Sequence, residues 1–427
     1  MENKNDFSHR EEFYESGLII FLLLNFLAMI VSAVRNVILH SIYNNPSLFC
    51  DHEWIYRELV YAIRGVDMST AIAENIVFND IGLVEISSTW PWAKILGIGV
   101  HGAFLPFEIS KIYVCILYVI VLVVIGVFLN NGIIKYYHIN KKQIKYVICI
   151  TTLILISSWY YVYLVCAFNN GSFVCLMIIF ALLLEKKHPF VAGILMAFAM
   201  IKAQIALPFF AVFLLRKKWK LISTSVSIVV TSWIGSCVLT KVLPWEQIAN
   251  LLNGQVPSNA ASYARYGMAD FILLFDDSKI LFTMLLSIIG GLLLLWIIEM
   301  KFMRDDIKER YIFVSYYPAA IVSLLWCYTT KCDYLILTVV ALGAFEIWLV
   351  NNKTIKDTFF LMIIFGGTIM NLTSILAQLL VKIHLITDSF AQPLEGRLDT
   401  IVLLVMLIGL TIRMYKNTGS ELERKHI

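Results

Sequence analysis

Long apolar runs separated by short polar segments dominate the chain. About 20 apolar residues in a helix cover the roughly 30 Å of hydrocarbon in a bilayer, and twelve runs, several of them short, are candidate spans. They lie at 17–39, 110–134, 146–166, 173–184, 189–201, 204–215, 221–243, 281–300, 311–330, 335–350, 358–384 and 398–416. The pattern predicts an all-α polytopic membrane protein with about 12 transmembrane helices. Because the residues before Gly17 are polar, we expect the first run to be an anchor and not a cleaved signal peptide.

Two further segments have helical character without that of a span. The stretch 89–107 is apolar, but Pro91 and Pro106 bracket it, which favours a short helix at the membrane surface. In LFCDHEWIYRELVYAIRG, charged residues are interspersed at helical spacing with an apolar set. That set comprises Trp54, Ile55, Leu59, Ala62 and Ile63. It predicts an amphipathic helix that lies in the interface, within the first outer loop.

Basic residues divide the polar segments into two groups. With the N-terminus inside, most of the 34 Lys and Arg residues fall in short segments on the inner side. The positive-inside rule then predicts that both termini are cytoplasmic. The long connections 40–109 and 244–280 fall outside, and the inner connections are too short to form a domain. We therefore expect one integral-membrane domain over 1–427, no separate soluble domain, and chemistry on the outer face.

Two basic segments, EKKH (185–188) and RKKWK (216–220), determine the number of crossings between them. A single crossing would put one of them outside, whereas two short helices keep both inside. The sequence therefore predicts a hairpin that turns between Lys202 and Pro208, with Lys202 and Gln204 near the outer face.

Composition excludes several classes of protein. Hydrophobic residues make up 59% of the chain and charged residues 15%, against about 45–50% and 25% in soluble domains. These values exclude a soluble enzyme, a disordered protein and a disulfide scaffold. The eight cysteines form no C-x-x-C or Cys/His cluster, so we expect no metal site and no cofactor. Membrane lipids are expected partners, and nucleic acid is not.

Asp51 stands at the start of the predicted interfacial helix. Asp is a favoured N-cap residue, and a positioned carboxylate can also take a proton from a hydroxyl. The sequence is compatible with both roles.

Four basic residues are candidates to bind an anionic group at the outer face. Lys202 lies within an apolar run, where a charge is costly and often functional, although the side chain could instead snorkel to the interface. Lys331 occupies a short outer turn and could equally be solvated, whereas the positions of Arg265 and Arg397 in outer segments favour ordinary surface residues. Four such cations facing the carboxylate of Asp51 would suit transfer of a sugar from a lipid phosphate to an acceptor hydroxyl.

Polar and aromatic residues near these groups are candidates to bind the acceptor or the sugar. They are His52, Glu53, Tyr56, Trp90, Gln204 and Asp333. The first three share the predicted helix of Asp51, and the last shares a short outer turn with Lys331.

The chain resembles glycosyltransferase family 87, of the C-type (GT-C) membrane glycosyltransferase superfamily. The family's early Asp, nearby Tyr and later Gly match Asp51, Tyr56 and Gly65, and TWPWAKILG matches its aromatic-proline motif. The most specific similarity is FNNGSFVCLMIIFALLLEKKHPFVAGILMAFAMIKAQIALPFFAVFLLRKKWK, residues 168–220, with its small-residue turn, basic pair, Lys-bearing helix and Arg-rich end. The segments SNAASYARYGMADF and CYTTKCDYL differ from the family's later motifs, so the sugar and the acceptor stay open.

The resemblance implies a GT-C-like fold and an enzyme of the bacterial cell envelope. Such an enzyme would move a hexosyl or pentosyl group from a polyprenyl-phosphate donor to a glycan or glycolipid acceptor. Transfer would occur with inversion on the extracytoplasmic face of the cell membrane, and Asp51 would be the general base. Two alternatives are a polysaccharide polymerase or ligase, which would usually have its large outer loop late in the chain, and a lipid or solute transporter, against which the absence of evident repeats weighs.

Overall fold

The computed structural model describes residues 4–42, 49–82, 90–249, 280–303, 305–327, 329–351 and 353–425. Within these ranges every regular element is a helix and no strand occurs, as the apolar pattern predicts. Most of the predicted second outer loop, including Arg265, lies outside the described residues.

The helices follow one another along the chain with short connections. The first half contains α1 (Lys4–Ile42), α2 (Cys50–Ile63), α3 (Met68–Glu74), α4 (Ala93–His101), α5 (Phe107–Tyr136), α6 (Ile144–Ile156), α7 (Tyr161–Ala167), α8 (Asn170–Leu184), α9 (Pro189–Ala199), α10 (Ala203–Leu215) and α11 (Trp219–Thr240). The second half contains α12 (Ile280–Lys301), α13 (Asp305–Arg310), α14 (Tyr317–Leu325), α15 (Leu337–Val350), α16 (Ile355–Thr368), α17 (Leu372–Lys382) and α18 (Asp388–Lys425). Short 3-10 helices at Met200–Lys202, Val314–Tyr316 and Lys331–Ile336 precede α10, α14 and α15. Buried side chains form one main core that extends from α1 to α18.

By length and composition alone, five helical segments among the described residues could cross a membrane, and the bent pair α16–α17 is a sixth candidate. The five are Glu12–Leu39, Phe107–Tyr136, Pro189–Leu215, Trp219–Thr240 and Lys331–Val350. Shorter apolar helices lie at Ile144–Ile156, Asn170–Leu184 and Val314–Leu325. These helices are those of a membrane protein, while the count of twelve spans stays a prediction.

The segment between the first two long apolar helices carries short helices and no further span in its described part. α4 has nine residues, too few to cross a bilayer, so the prediction of a short helix here is confirmed. α2 is also helical as predicted, but Trp54 and Ile63 are 43% and 40% exposed. Ile55, Leu59 and Ala62 of the predicted apolar set are buried, Tyr56 is buried beside them, and Tyr56 Oη donates to Leu105 O at 2.7 Å. That hydrogen bond turns the buried face of α2 toward the segment that follows α4.

The chain folds back between α9 and α10. Lys218, just after α10, contacts Glu185, just before α9, with an N–O distance of 2.5 Å. A straight helix over the 27 residues Pro189–Leu215 would be about 40 Å long, and the residues flanking it could not meet. The turn is the 3-10 helix Met200–Lys202, just before most of the predicted turn 202–208, and Pro208 lies inside α10. The segment is therefore the predicted hairpin, and its two flanking basic segments lie at the same end of the bundle.

The predicted span 358–384 is not one straight helix. α16 and α17 meet at an angle of 68°, and Asn371 between them has a left-handed backbone with φ of 50°. Trp159 N donates to Ile369 O at 2.8 Å, so a residue just before α7 satisfies one carbonyl at the break. The left-handed backbone at Asn371 and the hydrogen bond from Trp159 therefore replace the regular helix that the apolar run predicts.

Charged residues tie the helices together at the end of the bundle that holds the two basic segments. Arg216 donates to both carboxylate oxygens of Glu299, at 2.8 and 3.0 Å, and to Ser315 O at 2.7 Å. Lys186 donates to Tyr136 Oη at 2.8 Å. We call this the basic end of the bundle. The turn at Met200–Lys202 lies at the other end, because α9 and α10 run away from the basic end to reach it.

Glu346 of α15 is fully buried and accepts three hydrogen bonds from backbone amides. Their donors are Ile312, Phe313 and Val314, at 3.1, 2.8 and 3.0 Å. These amides lie at the start of the 3-10 helix Val314–Tyr316, where N–H groups have no partners within the helix. A side chain from a neighbouring helix therefore caps this helix.

Glu346→Ala would leave these buried amides without their acceptor, at a cost of about 1–3 kcal/mol for each unsatisfied group. We therefore expect Glu346→Ala to lower the thermal denaturation midpoint strongly, and Glu346→Gln to lower it less because one acceptor oxygen remains. Val123→Ala, at a position 60% exposed on α5, is the control and should change the midpoint little. Equal midpoints for the wild type and Glu346→Ala would contradict the capping role.

Candidate functional site

Asp51 lies in the first turn of α2 but does not cap it. The N-cap is Phe49, whose φ of 61° is left-handed, and α2 has no side-chain cap. The Asp51 side chain instead reaches the residue before α8, where Asn169 Nδ2 donates to Asp51 Oδ2 at 2.6 Å. The N-cap alternative for Asp51 is therefore wrong, because its carboxylate is directed away from the amides of its own helix.

Asn169 joins Asp51 to Lys202. It is the N-cap of α8, and its Oδ1 accepts from Gly171 N at 2.7 Å. The same oxygen accepts from Lys202 Nζ at 3.2 Å. Since Oδ1 must face two donors, the amide nitrogen must face the Asp51 carboxylate. The hydrogen bonds therefore allow Asn169 only one orientation.

Lys202 also forms a buried ion pair with Asp333. The Nζ–Oδ1 distance is 2.6 Å, and the side chains are 12% and 0% exposed. Asp333 Oδ2 accepts from Thr330 N at 2.8 Å and closes a capping box on the 3-10 helix Lys331–Ile336. Such added hydrogen bonds offset the cost of removing an ion pair from water. Lys202 is thus held at the hairpin turn by side chains from two other segments.

Asp333 can approach α8 this closely only because residue 171 is glycine. A Cβ atom at Gly171 would overlap the Asp333 carboxylate. The Asn-Asn-Gly sequence at 169–171 therefore supplies both the capping amide and the space beside it. We call Asp51, Asn169, Lys202 and Asp333 the Asp51 cluster.

The two oxygens of the Asp51 carboxylate differ in their hydrogen bonds: one has a strong donor and the other only a weak one. Oδ2 accepts from Asn169, whereas Oδ1 has the weak thiol donor Cys50 Sγ at 3.7 Å. Burial and the neighbouring Asp51 charge raise the pKa of the Cys50 thiol to about 11, so it stays protonated at neutral pH. Asp51 itself is half-buried, and Oδ1 is the oxygen with the weaker hydrogen-bond partner.

His52 and His101 form a buried pair beside Asp51. Their Nδ1 atoms are 2.9 Å apart. Ser110 Oγ lies 2.9 Å from His52 Nε2 and donates to His101 O at 2.6 Å. Each ring nitrogen of His52 therefore has a polar partner, one on α4 and one on α5.

Both histidines are neutral at pH 7. Burial lowers the pKa of His52 to about 3, with smaller contributions from the charges of His101 and Lys111. Burial also lowers the pKa of His101 to about 4. His101 Nε2 lies 2.5 Å from Asn170 Oδ1 and donates to it, because an amide oxygen can only accept. Adjacent side chains, Asn169 and Asn170, therefore hold α2 and α4 against α8.

The other acceptor candidates on α2 have partners near their own helix. Glu53 pairs with Arg57 one turn away. Tyr56 contributes the hydrogen bond to Leu105 O that fixes the buried face of α2. Neither makes a hydrogen bond to Asn169 or Lys202 among the contacts that the structure describes.

Trp90 and Gln204 lie beside the hairpin turn. Trp90 stacks on Trp92 with ring centroids 4.9 Å apart, and Trp92 Nε1 donates to Met200 O at 2.8 Å. Gln204 is buried, and its backbone oxygen accepts from Trp326 Nε1 at 2.7 Å. Both residues therefore border the segment that carries Lys202.

Lys331 and Arg397 belong to a neighbouring group. Lys331 pairs with Asp399 and, at 2.6 Å, with Glu395, both on α18. Arg397 lies between these two carboxylates in the sequence and is half-buried. The structure thus brings Asp51, Lys202 and Asp333 together, while Lys331 turns toward α18 and Arg265 falls outside the described residues.

Sequence analysis missed Asn169, Asn170 and His101. An Asn before an apolar helix is a recognisable N-cap signal, so FNNGSF could have indicated Asn169. His101 carries no local signal, because its role depends on a contact with His52 across 49 residues.

The fold and this cluster define a class: a helical membrane protein with a carboxylate, an amide and an ion pair gathered at one end of its bundle. The family model of glycosyltransferase family 87 matches residues 98–325, just over half of the chain. The chain therefore belongs to glycosyltransferase family 87, and it is a membrane glycosyltransferase. Asn169 and Lys202 lie inside the matched segment, whereas Asp51 and Asp333 lie outside it. No curated protein and no solved structure matches the chain.

The buried histidine pair predicts sensitivity to acid. Both pKa values lie below the ordinary 6.5, so the stability is fully present above pH 6.5 and is lost as the pH falls toward 4. At pH 5 the loss is on the order of 2 kcal/mol for each histidine. We expect the thermal denaturation midpoint to fall between pH 7.5 and pH 5.

Two variants test the source of this pH dependence. His101→Gln removes one titrating ring and should make the decline shallower. His188→Gln, at an exposed position near the basic end, should leave it unchanged. A decline of the same size in His101→Gln and the wild type would assign the acid sensitivity to other groups.

Proposed function

We propose that the protein transfers a hexosyl or pentosyl group from a polyprenyl-phosphate donor to a hydroxyl of a glycan or glycolipid acceptor. The observation that carries the proposal is the geometry of Asp51. One carboxylate oxygen is fixed by Asn169, and the other meets only a weak thiol donor. A carboxylate held in one orientation with one accepting oxygen suits a general base.

The Asn169 amide supports transfer with inversion. Its nitrogen bonds Asp51 and its oxygen bonds Lys202, so the base and the cation lie on opposite sides of one small group. A sugar bound alongside this amide would present one face to the acceptor hydroxyl near Asp51. The departing phosphate would leave from the other face toward Lys202, whose ammonium would stabilise its charge.

An apolar cavity supports a lipid-linked donor. A cavity of about 440 Å³ lies among α4, α5, α8 and α9, with Leu117, Phe173, Met177 and Phe198 in its wall. Phe173 is one helical turn from Asn169, so the cavity begins close to the Asp51 cluster. An isoprenoid chain would bury apolar surface there while its phosphate stayed near Lys202.

The distribution of charge supports an extracytoplasmic active site. The segments 185–188 and 216–220 meet at one end of the bundle, and the Asp51 cluster lies at the other. Basic segments favour the cytoplasmic side of the membrane. The cluster would then face outward in a cell membrane, with both termini inside.

Asp51→Asn tests the role as a general base. Removal of a base typically slows a reaction by about 10²–10⁴-fold. We expect this variant to fold, to bind donor and to transfer sugar at least a hundredfold more slowly. The assay incubates purified protein with a panel of radiolabelled polyprenyl-phosphate sugars and candidate acceptors.

Asp80→Asn is the matched control, because Asp80 is a carboxylate of the same region whose partner, Arg64, lies 2.5 Å away on the surface. It should keep near-normal turnover. Near-normal turnover in Asp51→Asn would remove the proposed base, and no transfer by the wild type from any donor of the panel would remove the proposed donor class.

Lys202 is expected to contribute to donor binding. A charge-assisted hydrogen bond is worth about 1.5–3 kcal/mol, so its loss should weaken donor binding by about tenfold or more. Lys202→Met alone would leave Asp333 buried and unpaired. The test therefore uses the double variant Lys202→Met/Asp333→Asn, which removes both charges together.

The control is Glu15→Gln/Lys353→Met, which neutralises a buried pair with an N–O distance of 2.7 Å. Donor affinity should fall in the first double variant and stay unchanged in the second. Unchanged affinity in both would mean that Lys202 serves only the local ion pair.

A further inference from the structure

A second polar group adjoins the Asp51 cluster through the 3-10 helix Lys331–Ile336. Lys331 begins this helix, two residues before Asp333, and its ammonium pairs with carboxylates of α18. Thr373 Oγ1 donates to Asp399 and lies 3.5 Å from Asn371 Oδ1. These contacts join five residues, and Arg397 lies between Glu395 and Asp399 in the sequence. We call the six residues the Lys331 cluster. They are Lys331, Asn371, Thr373, Glu395, Arg397 and Asp399.

The cluster lies where the apolar pair α16–α17 breaks. Irregular backbone within a membrane-spanning segment persists where protein buries it or where it lines a polar cavity, and broken helices often border substrate sites. Here the break carries Asn371, in left-handed conformation, directly before α17. The break therefore brings a polar side chain into a segment that is otherwise apolar.

Two buried donors in this cluster have no hydrogen-bond acceptor among the residues that the structure describes. They are Asn371 Nδ2 and Arg397 Nε. Asn371 is only 1% exposed, and buried polar groups in proteins are nearly always paired. An oxygen atom of a ligand would satisfy both kinds of donor.

The charges of the cluster favour a neutral ligand. Lys331 is held by two carboxylates, Glu395 and Asp399, and Arg397 brings the sum of the four charges to zero. A phosphate here would meet both carboxylates and be repelled. Hydroxyl groups would instead donate to the carboxylates and accept from the amide and the guanidinium. The donor and acceptor set therefore fits a polyhydroxylated ligand.

Part of the cluster is open to such a ligand. Thr373, Glu395 and Arg397 are half-buried, whereas Asp399 and Asn371 are buried behind them. A ligand would therefore meet exposed polar groups first and the unpartnered Asn371 amide beyond them.

We propose that the Lys331 cluster binds a sugar ring of the acceptor. This inference rests on the proposed function, because it takes the reacting hydroxyl to be the one near Asp51. A further sugar ring of the same acceptor would extend past Asp333 to Lys331. Lys331 and Arg397 thereby serve a neutral saccharide and not the donor phosphate, which is left to Lys202.

The test measures binding of hexyl glycosides of glucose, galactose, mannose and arabinose to the full-length protein in nanodiscs. Undecaprenyl phosphate is the probe for the donor-lipid site. At least one glycoside should bind, and Asp399→Asn and Thr373→Val should each weaken it tenfold or more. The affinity for undecaprenyl phosphate should stay within twofold. Glu15→Gln, which removes one charge from the buried pair with Lys353, is the matched control and should change neither.

These measurements separate the two proposals. Glycoside binding needs no turnover, so binding without any sugar transfer would remove the proposed function and leave the saccharide site in place. Where transfer occurs, the variants should raise the acceptor KM and leave the donor KM unchanged, which distinguishes an acceptor sugar from the donor's own. Thr373→Val decides the question if Asp399→Asn fails to fold.

Three results would overturn the proposal. They are no glycoside binding by the wild type, unchanged glycoside affinity in Thr373→Val, and loss of undecaprenyl phosphate binding in place of glycoside binding.

Discussion

The hydrogen bonds of the Asn169 side chain hold the Asp51 cluster together. Its nitrogen donates to a carboxylate on α2, and its oxygen accepts from an ammonium at the hairpin turn. Both partners are charged, and bonds of this kind are stronger than neutral ones and costly to lose in a low-dielectric interior. Because Lys202 continues the chain of contacts to Asp333, one amide sets the spacing of two carboxylates from distant segments.

The 3-10 helix Lys331–Ile336 lies between two electrostatic environments. Asp333 on this helix pairs with the cation of the hairpin, whereas Lys331 pairs with carboxylates of α18. Two adjacent polar groups can therefore favour different ligands, one through an ammonium and the other through a balanced set of charges. The capping box of Thr330 and Asp333 fixes the helix that separates them.

Sequence predicted those parts of the protein that depend on local pattern or on the sum of charges. The hydropathy pattern predicted that the chain is helical, and the short apolar stretch 89–107 predicted α4. The charge of the two basic segments, 185–188 and 216–220, predicted the hairpin between them. Asp51 was found by its position, but not its partner, because Asn169 lies 118 residues away. The break at Asn371 was also not predicted, since tertiary packing decides it.

The wide separation of the cluster in sequence has a consequence for biosynthesis. Chains are made from the N-terminus and their segments begin to assemble before synthesis ends. Lys202 enters the membrane region as part of a hairpin whose buried counter-charge, Asp333, is made 131 residues later. Until then its ammonium can remain near water by snorkelling. Closure of the ion pair thus has to wait for the segment that carries Asp333, and a chain cut before residue 333 would lack this buried counter-charge of Lys202.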